Sequence, residues 1–353
     1  MKRILVLCGG QSPEHPISIR SCRNILNAID REKYMVTVVG ISRTGKWLLQ
    51  DEKDIADNIT IQGANIEIRP GRSDCFWSHG ISLGNFDVIF PVLHGPNGED
   101  GTIQGLLQLL DIPFVGCDLL SSSISMDKEV AKRLLRDGGV NVSNWITLKN
   151  PRKIPSYESI VERLSKVVFV KPSNMGSSVG VYRVSDRNEW GAALEDAFKY
   201  DRKVLVEEAI VGRELECAVL GNERPKASGV GEVRSGGFYS YHEKYEDSSE
   251  AQLIIPAEID HKYLKSLKTT AIKSYQTLEC KGMARVDMFL TKSGDIYVNE
   301  INTIPGFTSI SMYPKLWEND GLNYSELISQ LIELAIEQFN TRRNLLDLAK
   351  SNV

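Results

Sequence analysis

Apolar positions along this chain change their period several times, and each change marks a new element. The continuous run Ile4 to Leu7 reads as a buried parallel strand. A glycine-containing loop follows it, then a helical stretch around Ile19 to Ile29 and a second strand near Val36 to Ile41. That is a βαβ opening. Val88 to Val92 supplies another strand. Ile103 to Leu110 supplies another helix, with Leu106, Leu107, Leu109 and Leu110 apolar and Gln104 and Gln108 between them. The first 120 or so residues therefore predict a doubly wound α/β unit. Residues 51–80 are mixed in polarity and predict no element.

After Ser121-Ser122-Ser123 the spacing predicts a helix over Lys128 to Asp137, stopped by Gly138-Gly139, with a domain boundary near residue 124. Strands follow at Val167 to Lys171, Gly180 to Val184 and Val204 to Glu207, strand after strand with short turns. From Met283 to Asn302 a hairpin is expected, turning at Lys292-Ser293-Gly294-Asp295. The tail from Leu322 to Phe339 places Leu327, Leu331 and Leu334, and Ile328, Ile332 and Ile336, at helical spacing, with Asn323 as N-cap and Glu326 at the third helical position.

Composition narrows the class. Hydrophobic residues make up 42% and charged ones 25% of 353 residues, ordinary values for a folded chain of two or three domains. A net charge of -4 without a long basic run argues against a nucleic-acid footprint. The six cysteines, Cys8, Cys22, Cys75, Cys117, Cys217 and Cys280, form no C-x-x-C pair and fit a reducing cytoplasm. The charged start Met1-Lys2-Arg3 precedes only five apolar residues before Gly9-Gly10, too few for export or for a membrane span.

Two motifs are decoys. Gly40 to Lys46 has the glycine spacing of a Walker A loop, but Trp47 stands where a Ser or Thr must reach magnesium, and the segment lies between strands; a hairpin turn is the better reading. Gly176-Ser177-Ser178-Val179-Gly180 matches G-x-S-x-G, yet a strand follows it where a nucleophile elbow needs a helix. A glycine-serine loop between strands instead offers N–H groups and hydroxyls to a polyanion.

If the 283–302 hairpin closes over 292–295, Thr291 pairs with Ile296, Asp287 lies opposite Glu300 and Arg285 opposite Asn302, all four on one face. Opposed carboxylates destabilise a sheet unless something positive lies between them. Two readings fit: hard oxygen ligands for magnesium, or a solvated polar face neutralised by Arg285. Lys171, ending the apolar run Val167 to Val170 beside the glycine-serine loop, is a candidate phosphate clamp, and Glu207-Glu208 ends a strand with acceptors for a nucleotide base. Taken singly, either is more often just a plain strand terminus.

Six segments in order then resemble the D-alanine:D-alanine ligase family of ATP-grasp enzymes, over residues 3 to about 340. They are Gly9-Gly10-Gln11-Ser12-Pro13-Glu14-His15; His94 to Gly101; Met126-Asp127-Lys128; Lys171-Pro172 with Gly176-Ser177-Ser178; Arg285-Val286-Asp287; and Glu300 to Gly306. The resemblance implies an ATP-grasp α/β fold in which a doubly wound parallel α/β domain (1–124) precedes two α+β domains (125–212 and 213–353) that enclose the nucleotide. It implies ATP-driven joining of two D-alanines through an acyl phosphate for peptidoglycan synthesis, in a cytoplasmic homodimer. D-serine or D-lactate as second substrate, another ATP-grasp ligase, and a nucleotide binder without turnover are the alternatives.

By that resemblance Lys128 and Lys171 contact ATP phosphates, Glu207, Ala209 and Ile210 surround adenine, and Glu214 holds the ribose. Asp287, Glu300 and Asn302 resemble the ligands of magnesium, two ions with manganese as a substitute. Arg285 and the Gly306 N–H resemble the oxyanion stabilisers. Glu14 is similar to the holder of the first ammonium, with Ser177 and Tyr245 as companions and His94 lining the substrate site. Ser311 resembles the residue near the second carboxylate, and Met312 the D-alanine type, since an arginine there would resemble the D-serine enzymes. The segment 235–250, with glycine hinges and four aromatics, reads as a lid that excludes water from an acyl phosphate, with Lys244 reaching the γ-phosphate. One departure stands out: Pro16-Ile17-Ser18 follows His15 where the family usually has Glu-Val-Ser. Proline is tolerated in a first helical turn, so it bears on the loop's contacts and leaves the fold intact.

Overall fold

The computed structural model describes residues 1–55, 63–234 and 252–351. Its first sheet grows from the βαβ opening. β1 (Lys2–Gly9) lies parallel to β2 (Tyr34–Ile41) on one side and to β7 (Val88–Val92) on the other. α1 (His15–Ala28) begins four residues before the first apolar position that signalled it, because Pro16 fits the first turn. The sheet continues past β2 as an antiparallel meander of β3 (Trp47–Gln50), β4 (Ala64–Ile68), β5 (Phe76–Ser78) and β6 (Ile81–Ser82), in order β6-β5-β4-β3-β2-β1-β7. Of these, β4 and β5 fall in the segment 51–80, whose polarity predicted nothing. Gly40–Lys46 is the hairpin connection between β2 and β3, as expected.

α2 (Thr102–Leu109) and α3 (Leu119–Met126) lead into α4 (Lys128–Asp137), capped by Asp127. A four-stranded sheet follows, ordered β10-β9-β11-β8, from β8 (Trp145–Leu148), β9 (Val168–Pro172), β10 (Tyr182–Val184) and β11 (Val204–Glu208). α5 (Tyr157–Arg163) and α6 (Arg187–Tyr200) cover one face. α6 corrects the expectation of strand following strand: a capping box between Asp186 and Glu189 starts a helix between β10 and β11.

The third sheet is antiparallel, ordered β14-β13-β12-β15-β16: β12 (Gly212–Leu220), β13 (Lys226–Arg234), β14 (Gln252–Ile254), β15 (Met283–Thr291) and β16 (Ile296–Asn302). The helix His261–Thr277 packs on it, burying Leu267, Ala271 and Tyr275 against Val219, Val286 and Met288. The last helix, Tyr324–Ser351, is capped by Asn323, whose side chain accepts from the Glu326 N–H at 2.9 Å. Its Leu327, Ile328, Leu331 and Ile332 join Ile4 and Val6 of β1 in one apolar cluster, tying the chain's end to its first sheet.

Candidate active site

Strand alternation divides the four-stranded sheet into a dry face and a working face. Val168, Val170, Val204 and Val206 point into the core against Trp190 and Leu194, so Phe169, Lys171 and Glu207 point the other way. They line a cleft of about 220 Å³. Its opposite wall is the five-stranded sheet, which contributes Glu214, Phe289, Asn299 and Glu300, while Lys128 and the loop Met175–Ser178 close one end. Ser177 and Ser178 hold left-handed backbone angles, φ 51 and 60°, uncommon for residues other than glycine and characteristic of functional loops.

Within the first wall, Lys171 Nζ lies 3.0 Å from Glu207 Oε2 and 3.2 Å from Asn299 Oδ1. Burial pushes Glu207 upward and Lys171 downward, but charge outweighs it: Lys132 first and Lys171 second hold Glu207 below its ordinary range, and Glu207 holds Lys171 above its own.

Across the second wall, three acids form a row over three strands: Glu216 on β12 faces Asp287 on β15, which faces Glu300 on β16. Arg285, two residues along β15, prevents their mutual repulsion. Its Nε and Nη2 grip both Asp287 oxygens at 2.7 Å, and its Nε lies 2.9 Å from Glu216. Burial alone would lower its pKa; Asp287 and Glu216 overcome that and push it well up. Asn302 donates to Asp287 at 3.0 Å, and Lys128 Nζ is 3.4 Å from Glu300.

The expected pairing of Asp287 with Glu300 and Arg285 with Asn302 is present. The turn, however, closes one residue earlier than expected: Leu290, not Thr291, pairs with Ile296. The register shift between Asp287 and Met288 restores the pairing, leaving Asn299 as the extra residue on β16. The bulge puts Asn299 and Glu300, neighbours in sequence, on the same cleft wall.

At the corner against the first sheet, the hydroxyl of Ser177 donates to the Glu14 carboxylate, and Ser12 receives the Glu14 N–H at 3.1 Å. Glycine is required on two sides. A Cβ at Gly95, which also has φ +75°, would meet Glu14 Oε2 at 2.5 Å, and one at Gly176 would meet it at 3.1 Å. His94 is buried and fixed by Ile304 O at 3.0 Å and Ser21 Oγ at 3.2 Å; burial lowers its pKa. Gly306 lies in the segment this histidine touches, and a Cβ there would strike Ser311 Oγ at 2.7 Å. Met312 sits elsewhere: it begins the helix Met312–Asn319 with its side chain buried in the apolar core.

The chain as a whole matches known proteins. Residues 3–117 fit the family model "D-ala D-ala ligase N-terminus" and residues 134–333 fit "D-ala D-ala ligase C-terminus". The chain belongs to the D-alanine–D-alanine ligase family. It is 45% identical to the D-alanine--D-alanine ligase of Shouchella clausii, covering 98% of this chain and 97% of that one. Among solved structures, the D-alanine-D-alanine ligase of Coxiella burnetii superposes with a TM-score of 0.88 at 38% identity, covering 99% and 100% of the two chains. The VanG D-Ala:D-Ser ligase of Enterococcus faecalis superposes at 0.86, also 38% identical, covering 95% and 99%. Family membership makes this an ATP-dependent ligase with an ATP-grasp fold.

For a ligase of this family, the cleft assembles Lys128, Lys171, Ser177, Glu207, Ile210, Glu214 and Glu300 in one lining, with Ala209 beside Ile210 at the end of β11. Asp287, Asn302 and Arg285 adjoin Glu300 through the sheet register. Lys244, Tyr245 and the 235–250 segment lie outside the described residues. Among the described residues no three His, Cys, Asp or Glu side chains form a metal cage. Two carboxylates and an amide, Asp287, Glu300 and Asn302, are a donor set that suits magnesium, which takes one or two carboxylates and completes its shell with phosphate oxygens and water.

Sequence reading of this ligase missed four participants. Glu216 comes from a strand remote in sequence, Asn299 depends on the bulge, and Lys132 lies beneath Glu207. Glu99, half-buried in the His94–Gly101 run, accepts from the Gly95 N–H at 2.7 Å; desolvation first and the Glu14 charge second push its carboxyl up to about 8.

Proposed function

We propose that the cleft joins two D-alanine molecules, driven by ATP and through a D-alanyl phosphate, releasing ADP and phosphate and supplying a cell-wall precursor. The observation that carries this reading is Asp287 opposite Glu300, with the Lys128 ammonium beside them and the Lys171 wall across the same cleft. A carboxylate is a poor acyl donor because its oxygen leaves badly, so it must first be phosphorylated, and phosphoryl transfer is mostly an electrostatic task.

Adenine lies between Phe169 and Ile210, with Glu207 and the Ala209 backbone as partners and Glu214 on the ribose. Lys128 and Lys171 neutralise the phosphates. Asp287, Glu300 and Asn302 would hold magnesium, as two ions or with manganese in its place, which when bound supplies further neutralisation of the phosphates. Glu14, oriented by Ser177, holds the first substrate's ammonium, with Tyr245 as a companion and His94 shaping the pocket. Arg285 and the Gly306 N–H stabilise the oxyanion formed when the second amine attacks, and Ser311 receives the second carboxylate. Losing such a donor raises a barrier by about 3–4 kcal/mol.

With Met312 turned into the apolar core and no arginine at its position, D-alanine is kept as second substrate in place of D-serine or D-lactate. Domains at 1–124, 125–212 and 213–353, a homodimer and a cytoplasmic setting complete the reading. Six free, buried cysteines support the last, and no helix among the described residues is long and apolar enough to cross a membrane. The test is phosphate release by purified protein with ATP and magnesium: D-alanine elicits it, L-alanine and buffer do not. Mass spectrometry of products from mixed D-alanine, D-serine and D-lactate gives mainly D-alanyl-D-alanine. Silence toward D-alanine overturns the activity, and a dominant depsipeptide overturns the second-substrate assignment.

A further inference from the structure

Beneath the cleft floor lies a second lysine that the chemistry above does not use. Lys132 is only 2% exposed, a rare place for an ammonium. It sits one turn along α4 from Lys128, so the same helix face carries one lysine into the cleft and one under it. Lys132 Nζ donates to Ser143 Oγ at 2.7 Å, lies 3.4 Å from Glu207 Oε1 and stands 5.7 Å from the Trp145 ring centre. Ser143 in turn donates to Glu207 Oε2 at 3.4 Å. Glu207 thus serves two lysines, one on each oxygen: Lys132 from below and Lys171 from the cleft.

One carboxylate between two ammonium groups leaves the group one positive charge in excess, in surroundings where charge is costly to bury. Burial is the main influence on Lys132 and lowers its pKa against the pull of Glu207. A single lysine would already neutralise Glu207. The second becomes useful once a polyanion enters and claims Lys171. Without Lys132, Glu207 would then be a buried carboxylate with no counter-charge, and Lys171 would be held back from the phosphates.

We propose that Lys132 is a positioning residue: it keeps Glu207 paired and fixed toward the base while Lys171 turns its charge to the nucleotide's phosphates. This rests on reading the cleft as the ATP site. K132M should fold, because Glu207 and Lys171 remain as a neutral pair and the methionine fills the same volume.

Steady-state kinetics of the whole enzyme tests the idea with K132M, E207Q, their double variant and S143A. K132M is expected to raise KM for ATP about tenfold or more while KM for D-alanine stays within about twofold. The double variant should be no worse than E207Q alone, because Lys132 acts through Glu207. S143A, which removes the hydroxyl linking Lys132 to Glu207, should move KM for ATP in the same direction by less, and it keeps the test alive should K132M not fold. If E207Q raises KM for ATP while K132M and S143A do not, or if the double variant shows independent, additive losses, the role given to Lys132 is wrong and the ATP site stands. If E207Q itself leaves KM for ATP unchanged, the base assignment falls and the proposal with it.

Discussion

The two walls of the cleft handle charge in opposite ways. The wall from the four-stranded sheet sets two lysines against one acid, Lys132 and Lys171 around Glu207; the wall from the five-stranded sheet sets three acids, Glu216, Asp287 and Glu300, against Arg285. Immediately around Glu207 the cations outnumber the acid, and along the acidic row the acids outnumber the cation. A polyphosphate suits the first directly and the second only through cations, which is how magnesium-nucleotide sites are commonly built. The walls also differ in what their central cation does for the fold. Arg285 is the bidentate partner of Asp287 and a close neighbour of Glu216, whereas Glu207 would retain Lys132 if Lys171 were lost.

The sharpest break of that comparison is Arg285→Ala. It leaves Glu216 and Asp287 without their shared counter-charge, and removing one member of a buried pair typically costs about 3–5 kcal/mol. The expected outcome is a lowered urea midpoint together with a fall in kcat of roughly 10²–10³, since the proposed oxyanion donor is lost as well. A variant with wild-type stability would show that the acidic row does not depend on Arg285.

Lys171→Met is the matching change on the other wall, and it should separate activity from stability. Glu207 keeps Lys132, so the urea midpoint should move by less than about 1 kcal/mol equivalent, within the range of ordinary substitutions. KM for ATP should rise roughly 10²-fold, as when one member of a charge-assisted contact is removed. Equal destabilisation by the two variants would erase the contrast between the walls.

How far each wall was legible in the sequence follows from the range of the interactions. The hairpin is local, so alternation alone put Asp287 opposite Glu300 and Arg285 opposite Asn302. The pairing survived an error of one residue at the turn because the bulge at Asn299 offsets it. Nothing in the sequence announces that bulge, which shows only in the pairing of the two strands. Glu216 is brought into the row by strand order, a tertiary property that periodicity does not encode. Lys132 was nearer to hand: Lys128, Lys132 and Arg136 repeat every four residues along α4, a charged stripe that ordinarily faces water. Here Trp145 and Glu207 lie against its middle, and Arg136 stacks over the Trp145 ring at 4.5 Å. The helix α6 carries a single local cue, Asp186 and Glu189 at capping-box spacing, and lies between strand-like runs on both sides.

The surplus of negative charge extends beyond the acidic wall to Glu14 and Glu99, and this yields the smallest predicted effect. Desolvation and the neighbouring Glu14 carboxylate raise the Glu99 carboxyl from its ordinary 4.5 to about 8, with Glu300 adding repulsion. Between those two values the folded enzyme holds a proton on Glu99 that the unfolded chain has released. Stability from this group therefore falls as pH rises through that window, the reverse of a salt-bridged acid. In Glu99→Gln the side chain stays neutral and still accepts from the Gly95 N–H. Melting temperatures of the ligand-free enzyme from pH 5 to 8 should decline more steeply for wild type than for E99Q. The difference should shrink when D-alanine is added, because the ammonium proposed to sit on Glu14 would offset the repulsion that raises Glu99. Parallel melting curves for the two proteins would mean that Glu99 is ionised in the empty site, and that the negative charge at this corner is already balanced before any substrate arrives.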